Sequence, residues 1–213
     1  MSRIDEIQAH PELVQRHPLG LPAGSVRSVI AIMITGLLCI ILLLPPEQPV
    51  RVPLFVYFLT SLVLAFFTAF SGGITVHPHE RPPLNLPRGA ARFLIVAAIV
   101  GAVGYAYYRD PEVLLTRLTP QADQLPQWPY LTVSLAAGFL LGLLAGKGPW
   151  RQAPMFQDAL ASLSLVCMFG LGIETIIVLF INPRLEQDLH LTFLENALVA
   201  AVAFYFGARS HSR

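Results

Sequence analysis

The sequence predicts an all-α, polytopic integral membrane protein, a bundle of six transmembrane helices. Its composition points first in this direction, because 54% of the 213 residues are hydrophobic and 13% are charged. Soluble domains carry about 25% charged residues, which they need to cover their surface. Apolar segments recur six times, and none alternates with the period of two that membrane β-strands require. A net charge of +1 and two cysteines exclude a nucleic-acid binder and a disulfide-stapled module.

Each predicted span is an apolar run near the roughly 20 residues that cross a bilayer core of about 30 Å. The first run begins only near Val29, after a charged leader without an evident cleavage site, so we expect it to remain as a span. Pro45-Pro46 ends the first span and Asn182-Pro183 ends the fifth. The six predicted spans cover residues 29–44, 53–70, 93–108, 130–145, 159–181 and 191–207.

The distribution of basic residues predicts that both termini are cytoplasmic; if the host is bacterial, the membrane is the cytoplasmic (inner) one. Lys and Arg accumulate on the cytoplasmic side of membrane proteins. The side that holds both termini has ten of them: Arg3, Arg16, Arg27, Arg81, Arg88, Arg92, Lys147, Arg151, Arg209 and Arg213. The opposite side has four: Arg51, Arg109, Arg117 and Arg184.

An internal repeat is the most specific pattern in the chain. Residues 18–36 and 83–101 share nine of nineteen positions at an offset of 65, without a gap. Each copy precedes a pair of spans, so the repeating unit is a helical hairpin. Because two spans separate the copies, both hairpins insert in the same direction and the repeat is parallel. The shared positions are Pro18/Pro83, Leu19/Leu84, Leu21/Leu86, Pro22/Pro87, Gly24/Gly89, Arg27/Arg92, Ile30/Ile95, Ile34/Ile99 and Gly36/Gly101.

The repeat predicts three antiparallel hairpins, the last the most diverged. They cover residues 22–73, 87–146 and 149–208, between a leader at 1–21 and a tail at 209–213. The leader forms short amphipathic helices on the cytoplasmic membrane face, or is a frayed tail; the sequence leaves both open. In the outer loop at 109–129, Val113, Leu114, Leu115 and Leu118 predict a short amphipathic helix.

The Leu-Pro-x-Gly-x-x-Arg entry of each copy is a candidate site for a lipid headgroup or another anion. The start of a helix leaves backbone N–H groups unpaired, and a nearby guanidinium binds phosphate well. Alternatively, Pro and Gly shape the turn while Arg only sets depth and orientation. The candidate residues are Gly24, Ser25, Arg27, Gly89 and Arg92.

This entry motif, together with the terminal Tyr205-Phe206-Gly207-x-Arg209, resembles a pattern in small bacterial membrane proteins of uncharacterised function. The resemblance covers about forty residues. It implies a multi-span membrane fold and carries over no activity.

Two carboxylates inside the predicted spans are candidates for an ion or proton site. Charged groups within a membrane are costly and mark function by default. The fifth and sixth spans are joined by a short connection, so we expect antiparallel neighbours that share these polar groups. Gly170 and Gly172 predict a local break in the fifth span. The alternative is structural, with each carboxyl hydrogen-bonded or at the interface. The candidate site comprises Glu174, Thr175, Glu195 and Asn196.

Other polar clusters carry no catalytic pattern. His77-Pro78-His79-Glu80 is too sparse for a zinc site, and Cys39 and Cys167 are interpreted as small packing residues. The sequence contains no Ser-His-Asp set, P-loop or dinucleotide motif, so we expect neither an enzyme nor a bound cofactor. Aromatic residues near the outer ends of spans three and four form an interfacial belt, with a quinone or pigment site as the alternative: Tyr105, Tyr107, Tyr108, Trp128 and Tyr130.

Gly138, Gly142 and Gly146 form a helix-packing groove on the fourth span, within the chain or between subunits. Small size and slim helices favour a structural or accessory subunit of a larger or homo-oligomeric membrane assembly. We expect its partners to be membrane lipids and other membrane-protein subunits or copies of itself, with no nucleic acid. Two alternatives remain: a small channel or transporter that uses Glu174 and Glu195, and a protein that binds anionic lipids.

Overall fold

The computed structural model describes residues 18–22, 24–46, 50–69, 84, 89–120, 122, 124–149, 153–181 and 192–210. These residues form seven α-helices and no sheet, as the all-α prediction requires. The predicted leader helices, apart from a 3-10 turn at Pro18–Gly20, and the cluster at His77–Glu80 lie outside the described residues. The helices are α1 (Ser25–Leu43), α2 (Leu54–Ala69), α3 (Ala90–Arg109), α4 (Pro111–Leu118), α5 (Trp128–Ala145), α6 (Pro154–Ile176) and α7 (Thr192–Ala208).

Four helices are long and apolar enough to cross a membrane: α1, α3, α5 with the 3-10 turn before it, and α6 with the five-residue π-helix after it. This supports an integral membrane location. Apolar helices also occupy the other two predicted spans, but α2 and α7 are shorter. An α-helix rises about 1.5 Å per residue, so the 17 residues of α7 extend only about 25 Å.

The core lies where α1 and α2 meet α6 and α7. Ile30, Leu59, Met168 and Phe206 are fully buried there. Ten of the nineteen residues of α1 are buried, compared with two of the twenty residues of α3. The helix α1 is therefore central in the bundle, while α3 lies at its edge.

The helices pair differently from the predicted second hairpin. α1 packs on α2, and α6 packs on α7, but among the described residues α3 and α5 make no extended contact. α3 packs instead on α1, and α5 packs on α7, which is the most extensive helix contact of the structure. The prediction of three antiparallel hairpins is therefore wrong for the second one. Its connection is long enough to hold α4, so its two helices need not be neighbours.

The predicted break at Gly170 and Gly172 is also wrong. α6 continues through both glycines to Ile176, and the irregularity comes afterwards, as a π-helix at Ile177–Ile181. A Cβ atom added to Gly170 would lie 3.2 Å from Leu198 Cδ1, so the lack of a side chain at Gly170 serves the contact between α6 and α7. The packing of α6 on α7, and not a break in α6, explains the glycine at position 170.

Candidate functional site

The glycines of α5 lie directly against the backbone of α7. A Cβ atom added to Gly138 would collide with the carbonyl oxygen of Ala200, and one added to Gly146 would lie 2.7 Å from that of Ala208. The partner positions advance in the same direction along both helices, so α5 and α7 run parallel. The groove predicted from the sequence thus lies at a contact within the chain.

The contact is reciprocal, because α7 contributes a glycine of its own. A Cβ atom added to Gly207 would collide with the carbonyl oxygen of Phe139 and lie 3.0 Å from the amide nitrogen of Leu143. Backbone cannot move aside as a flexible side chain can. Close approach of two helices in lipid depends on such small residues, because there is no hydrophobic driving force between helices.

Glu174 of α6 and Glu195 of α7 come together inside the bundle. Their side chains are 9% and 5% exposed, and the two carboxyl groups are close enough to interact electrostatically. Among the described residues, no partner is present for Glu174 Oε2, which is completely buried. Two adjacent buried carboxylates cannot both be charged at low cost, so this arrangement favours a shared proton or a bound cation.

The other two members of this candidate set are arranged differently. The Thr175 hydroxyl donates to the carbonyl oxygen of Leu171, one turn earlier in α6, at 2.8 Å. That hydrogen bond uses the hydroxyl proton within its own helix. Asn196 is half-buried, and its Oδ1 has no partner among the described residues. The structure therefore brings the carboxylates together, while Thr175 serves its own helix.

The entry motifs have the same backbone conformation in both copies. Leu19 and Leu84 have positive φ angles of 57° and 54°, and Gly24 and Gly89 have φ angles of 79° and 80°. Glycine adopts this left-handed region at no steric cost, whereas leucine does not. A left-handed glycine immediately before the first helical residue turns the chain into α1 and α3 in the same way. The sequence repeat is thus also a repeat of local structure.

Each left-handed leucine is held by a side chain from another helix. The amide of Leu84 donates to Ser25 Oγ at the start of α1, at 3.1 Å. The amide of Leu19 donates to Asp158 Oδ1 in α6, at 2.6 Å. The segment before α3 therefore docks on α1, and the segment before α1 docks on α6. Ser25 takes part in this docking and is buried.

The entry arginines both contact aromatic rings of α2 at the end of the bundle that carries the entry motifs. The guanidinium carbon of Arg27 lies 4.9 Å from the ring centre of Phe66, and that of Arg92 lies 5.7 Å from the ring centre of Phe67. Arg92 and Arg209 are both close enough to Arg27 to repel it electrostatically. Arg27 is therefore within electrostatic reach of one basic residue of α3 and of another that follows α7.

Arg117 is a buried residue whose role sequence reasoning missed. It belongs to α4, the short helix predicted in the outer loop, and its side chain is 4% exposed. Its guanidinium donates to the carbonyl oxygens of Ile41, Leu42, Leu44 and Pro45, at 3.3, 3.0, 2.9 and 2.7 Å. These carbonyls lie at the end of α1, where backbone acceptors lack partners within the helix and the helix dipole is negative.

The backbone around Arg117 fastens α4 further. Val52 donates its amide to the Arg117 carbonyl at 3.2 Å, and the Tyr57 hydroxyl donates to the Leu118 carbonyl at 3.0 Å. Burial lowers the pKa of the Arg117 guanidinium, and the charge of Arg109 lowers it further. Arginine nevertheless stays charged at neutral pH. The spacing of three residues places Arg117 on the same face of α4 as the buried Leu114, but this spacing does not specify which carbonyls the guanidinium binds.

The remaining predicted residues are placed as follows. Cys167 is buried, and the Cys39 thiol donates to the Ala98 carbonyl oxygen at 3.6 Å. The five aromatic residues predicted as an interfacial belt are all exposed, between 48% and 90%. Within the described residues no group of three or more His, Cys, Asp or Glu side chains is arranged to hold a metal ion.

No protein-family model, curated protein or solved structure matches this chain.

Proposed function

We propose that the chain is a non-catalytic integral membrane protein that crosses the bilayer six times and functions as a subunit of a homo-oligomeric assembly. The six crossings are α1, α2, α3, α5, α6 and α7. The two short helices α2 and α7 are included because both pack on longer apolar helices, α2 on α1 and α7 on α5 and α6. The arginines Arg27, Arg92 and Arg209 at one end of the bundle support a cytoplasmic location of both termini.

The order in which three helices pack side by side, here called the row, supports the proposal that the chain forms an oligomer. α6, α1 and α3 lie in that order, since α1 contacts both of the others, while α3 and α6 make no extended contact among the described residues. The same kind of contact is made twice in the row, each time by the segment that precedes one helix docking on the next helix. Because the row does not close within the chain, it has two free ends, at α3 and at α6.

One observation carries the proposal: the face of α3 that corresponds to the occupied face of α1 is empty. Cys39 of α1 contacts α3 through the Ala98 carbonyl. Its equivalent at the repeat offset of 65 is Gly104, where an added Cβ would meet nothing within 4 Å. Small residues in membrane helices allow close helix contacts, and the chain uses them in this way between α5 and α7.

The partner that fits this face is a second copy of the chain. α3 is related to α1 by the repeat, so a helix that docks on α3 in the same way continues the row. The other free end, α6, has an outward apolar face that includes Val166 and Phe169, which are 67% and 62% exposed. Contacts between α3 of one copy and α6 of the next are head-to-tail, and such contacts close into a ring or extend into a filament.

The test compares leucine at three glycines that the structure distinguishes. Gly104→Leu fills the empty α3 face, and Gly36→Leu adds the same volume on α1, away from both free ends of the row, where an added Cβ would also meet nothing within 4 Å. We expect Gly104→Leu to convert the oligomer to a monomer in native mass spectra from mild detergent, whereas Gly36→Leu keeps the oligomer. We expect Gly142→Leu to unfold the chain, because the added side chain would collide with the backbone of α7. This variant therefore shows how a misfolded sample behaves in the same measurement. A wild type that is monomeric, or that carries a different protein in place of a second copy, contradicts the proposal.

Orientation of the contact is tested separately with a cysteine pair. Val100→Cys and Val166→Cys are placed on separate copies, both in a background without the native cysteines, and the copies are mixed before reconstitution. Head-to-tail association predicts α3–α6 cross-links between the two variants. Cross-links of Val100→Cys with itself instead indicate a two-fold contact and contradict the row.

A second function, the binding of a proton or cation, is favoured by the orphan Oε2 of Glu174 beside Glu195. A protonated carboxyl in an apolar site reacts with dicyclohexylcarbodiimide, whereas an ionised one does not. We expect labelling of the wild type, none of the Glu174→Gln Glu195→Gln double variant, and competition by the bound cation if there is one. Asp158→Asn is the control, because its carboxylate lies at the other end of α6 and accepts the Leu19 amide. Wild-type protein that stays unlabelled at every pH and salt concentration contradicts this function.

A further inference from the structure

We infer that the outer end of α1 is a binding site for a guanidinium group, that Arg117 occupies this site as a tethered ligand, and that the ligand holds α4 closed as a lid. The site consists of backbone carbonyl groups, and the lid is the eight-residue helix Pro111–Leu118. The inference rests on neither function proposed above, because it involves neither the open face of α3 nor the pair Glu174 and Glu195.

The site exists because two prolines follow α1. In a continuing helix, the carbonyl oxygens of Ile41 and Leu42 would accept the amide protons of the residues four positions later. Those residues are Pro45 and Pro46, which have no amide proton. Carbonyl groups at a helix end that lack a helical donor need another partner. The sequence itself therefore leaves acceptors open at this end of α1.

The local backbone geometry adds two further acceptors at the same place. Leu44, just after α1, has a φ angle of −57° and a ψ angle of 155°, the extended conformation that a residue before proline prefers. Nη1 of Arg117 lies 2.9 Å from the Leu44 oxygen and 3.0 Å from the Leu42 oxygen, and Nη2 lies 2.7 Å from the Pro45 oxygen. With the Ile41 oxygen at 3.3 Å from Nη1, four acceptors surround one planar cation.

The chemistry of these acceptors fits a guanidinium group. Both terminal nitrogens of Arg117 donate, which uses the planar fork of donors that an ammonium group does not have. The negative end of the α1 dipole also favours a cation at this place. All four hydrogen bonds of the Arg117 guanidinium to described residues go to neutral carbonyl groups. A guanidinium ion from solution can therefore occupy the same site without displacing an ion pair.

The helix α4 is attached to the bundle mainly at the turn that carries Arg117. Only Leu114 and Arg117 are buried among its eight residues. Its two other polar contacts lie at the same end of the helix: the Val52 amide donates to the Arg117 carbonyl oxygen, and the Tyr57 hydroxyl donates to the Leu118 carbonyl oxygen. The attachment of α4 therefore depends largely on one side chain.

Three features allow α4 to open separately from the bundle. The backbone is extended on either side of it, at Asp110 and at Thr119, where a change of dihedral angles turns the helix as a unit. A cleft between the outer ends of α1 and α3, which Leu43 and Tyr105 line, lies beside α4. The Arg117 Nε atom is buried and has no partner among the described residues, so the closed position carries a cost.

The experiment follows the lid with one cysteine. Leu114→Cys, in a parent chain that also carries Cys39→Ala, places a thiol under α4, where Leu114 is 5% exposed. The purified full chain in mild detergent is treated with a hydrophilic thiol reagent, and the modification of each cysteine is timed by mass spectrometry of its peptide. The native Cys167 is buried in α6, so its modification reports unfolding of the bundle instead of opening of the lid.

We expect Arg117→Ala to speed the modification at position 114 about tenfold, the ratio for one charge-assisted hydrogen bond of about 1.4 kcal/mol, and to leave Cys167 unchanged. Ethylguanidinium at millimolar concentration should slow this modification again, because it fills the emptied site, whereas ethylammonium should not. The matched control is Arg109→Ala, which removes a positive charge from an exposed position beside the same cleft and should leave the rate of the parent unchanged. The exposed reporter Leu115→Cys should react equally fast with and without Arg117→Ala.

Two outcomes overturn the lid. Modification of Cys167 that accelerates together with position 114 shows that the whole chain opens, and an unchanged rate at position 114 in Arg117→Ala shows that other contacts hold α4. Equal slowing by ethylguanidinium and ethylammonium, or slowing by neither, overturns the guanidinium site. If circular dichroism shows that Arg117→Ala does not fold, Arg117→Lys takes its place, because it keeps the charge but loses the fork of donors.

Discussion

Gly142→Ala should destabilise the protein, although alanine normally favours a helix over glycine by up to about 1 kcal/mol. The added Cβ would collide with the carbonyl oxygen of Phe204, and it would lie 2.9 Å from the amide nitrogen of Ala208. Carbon atoms pack best at about 3.5–4.0 Å, so α5 and α7 must move apart by about 0.5 Å or more.

That separation affects the whole contact, because both helices are stiff. A gap of about 0.5–1 Å removes a quarter to a half of each van der Waals contact it opens. Overfilled contacts of this kind cost about 1–3 kcal/mol. We therefore expect Gly142→Ala to lower the free energy of unfolding by about 1–3 kcal/mol, even after the gain in helix propensity.

The assay is reversible unfolding of the purified protein in mixed micelles with increasing sodium dodecyl sulfate, followed by circular dichroism. Gly172→Ala is the control, since nothing lies within 4 Å of its added Cβ and the substitution keeps only the propensity gain. The two variants should change stability in opposite directions. If Gly142→Ala is as stable as Gly172→Ala, the close contact between α5 and α7 does not exist.

Three further predictions concern the outer helix and the entry turns. Arg117→Ala leaves four carbonyl oxygens at the end of α1 without their donor, so it should lower the free energy of unfolding by about 1–3 kcal/mol in the same assay. Arg109 is exposed, so the control Arg109→Ala should change that free energy by less than about 0.5 kcal/mol. Tyr57→Phe removes the hydrogen bond to the Leu118 carbonyl and should cost about 0.5–1.5 kcal/mol; an unchanged midpoint argues against the docking of α4 on α2. Gly89→Ala places a side chain at a φ angle of 80° with open space around it, so we expect backbone strain alone, about 1–2 kcal/mol; a stabilised variant contradicts the left-handed turn.

Helix positions followed from the sequence better than helix neighbours did. The apolar runs predicted helices at all six places where the structure has an apolar helix of sixteen residues or more, because hydropathy is local and each run must satisfy its own backbone hydrogen bonds. The second hairpin was predicted wrongly because an antiparallel pair follows from sequence only where the connection is short. The chain between α3 and α5 contains α4, whose Arg117 binds the end of α1 and draws the connection over the first hairpin.

The candidate sites also combine residues that the sequence predicts with contacts that depend on tertiary packing. Glu174 and Glu195 could be selected from the sequence, because charged residues stand out within apolar runs. Their closeness depends on how α6 and α7 pack. Arg117 was counted only as one of four basic residues on the outer side. No local pattern specifies that a guanidinium more than seventy residues further along the chain satisfies the carbonyls at the end of α1.

The sequence by itself determined that this is a helical, apolar chain with a repeated entry motif, because hydropathy and turn chemistry act over a few residues. Equal φ angles at Gly24 and Gly89 agree with that repeat. The tertiary structure alone decided that α5 pairs with α7, that α3 is left with an open face, and that Arg117 binds the end of α1. The physical reason is that contacts between helices in lipid depend on shape and on a few polar groups, and several helices present small residues that suit them equally well.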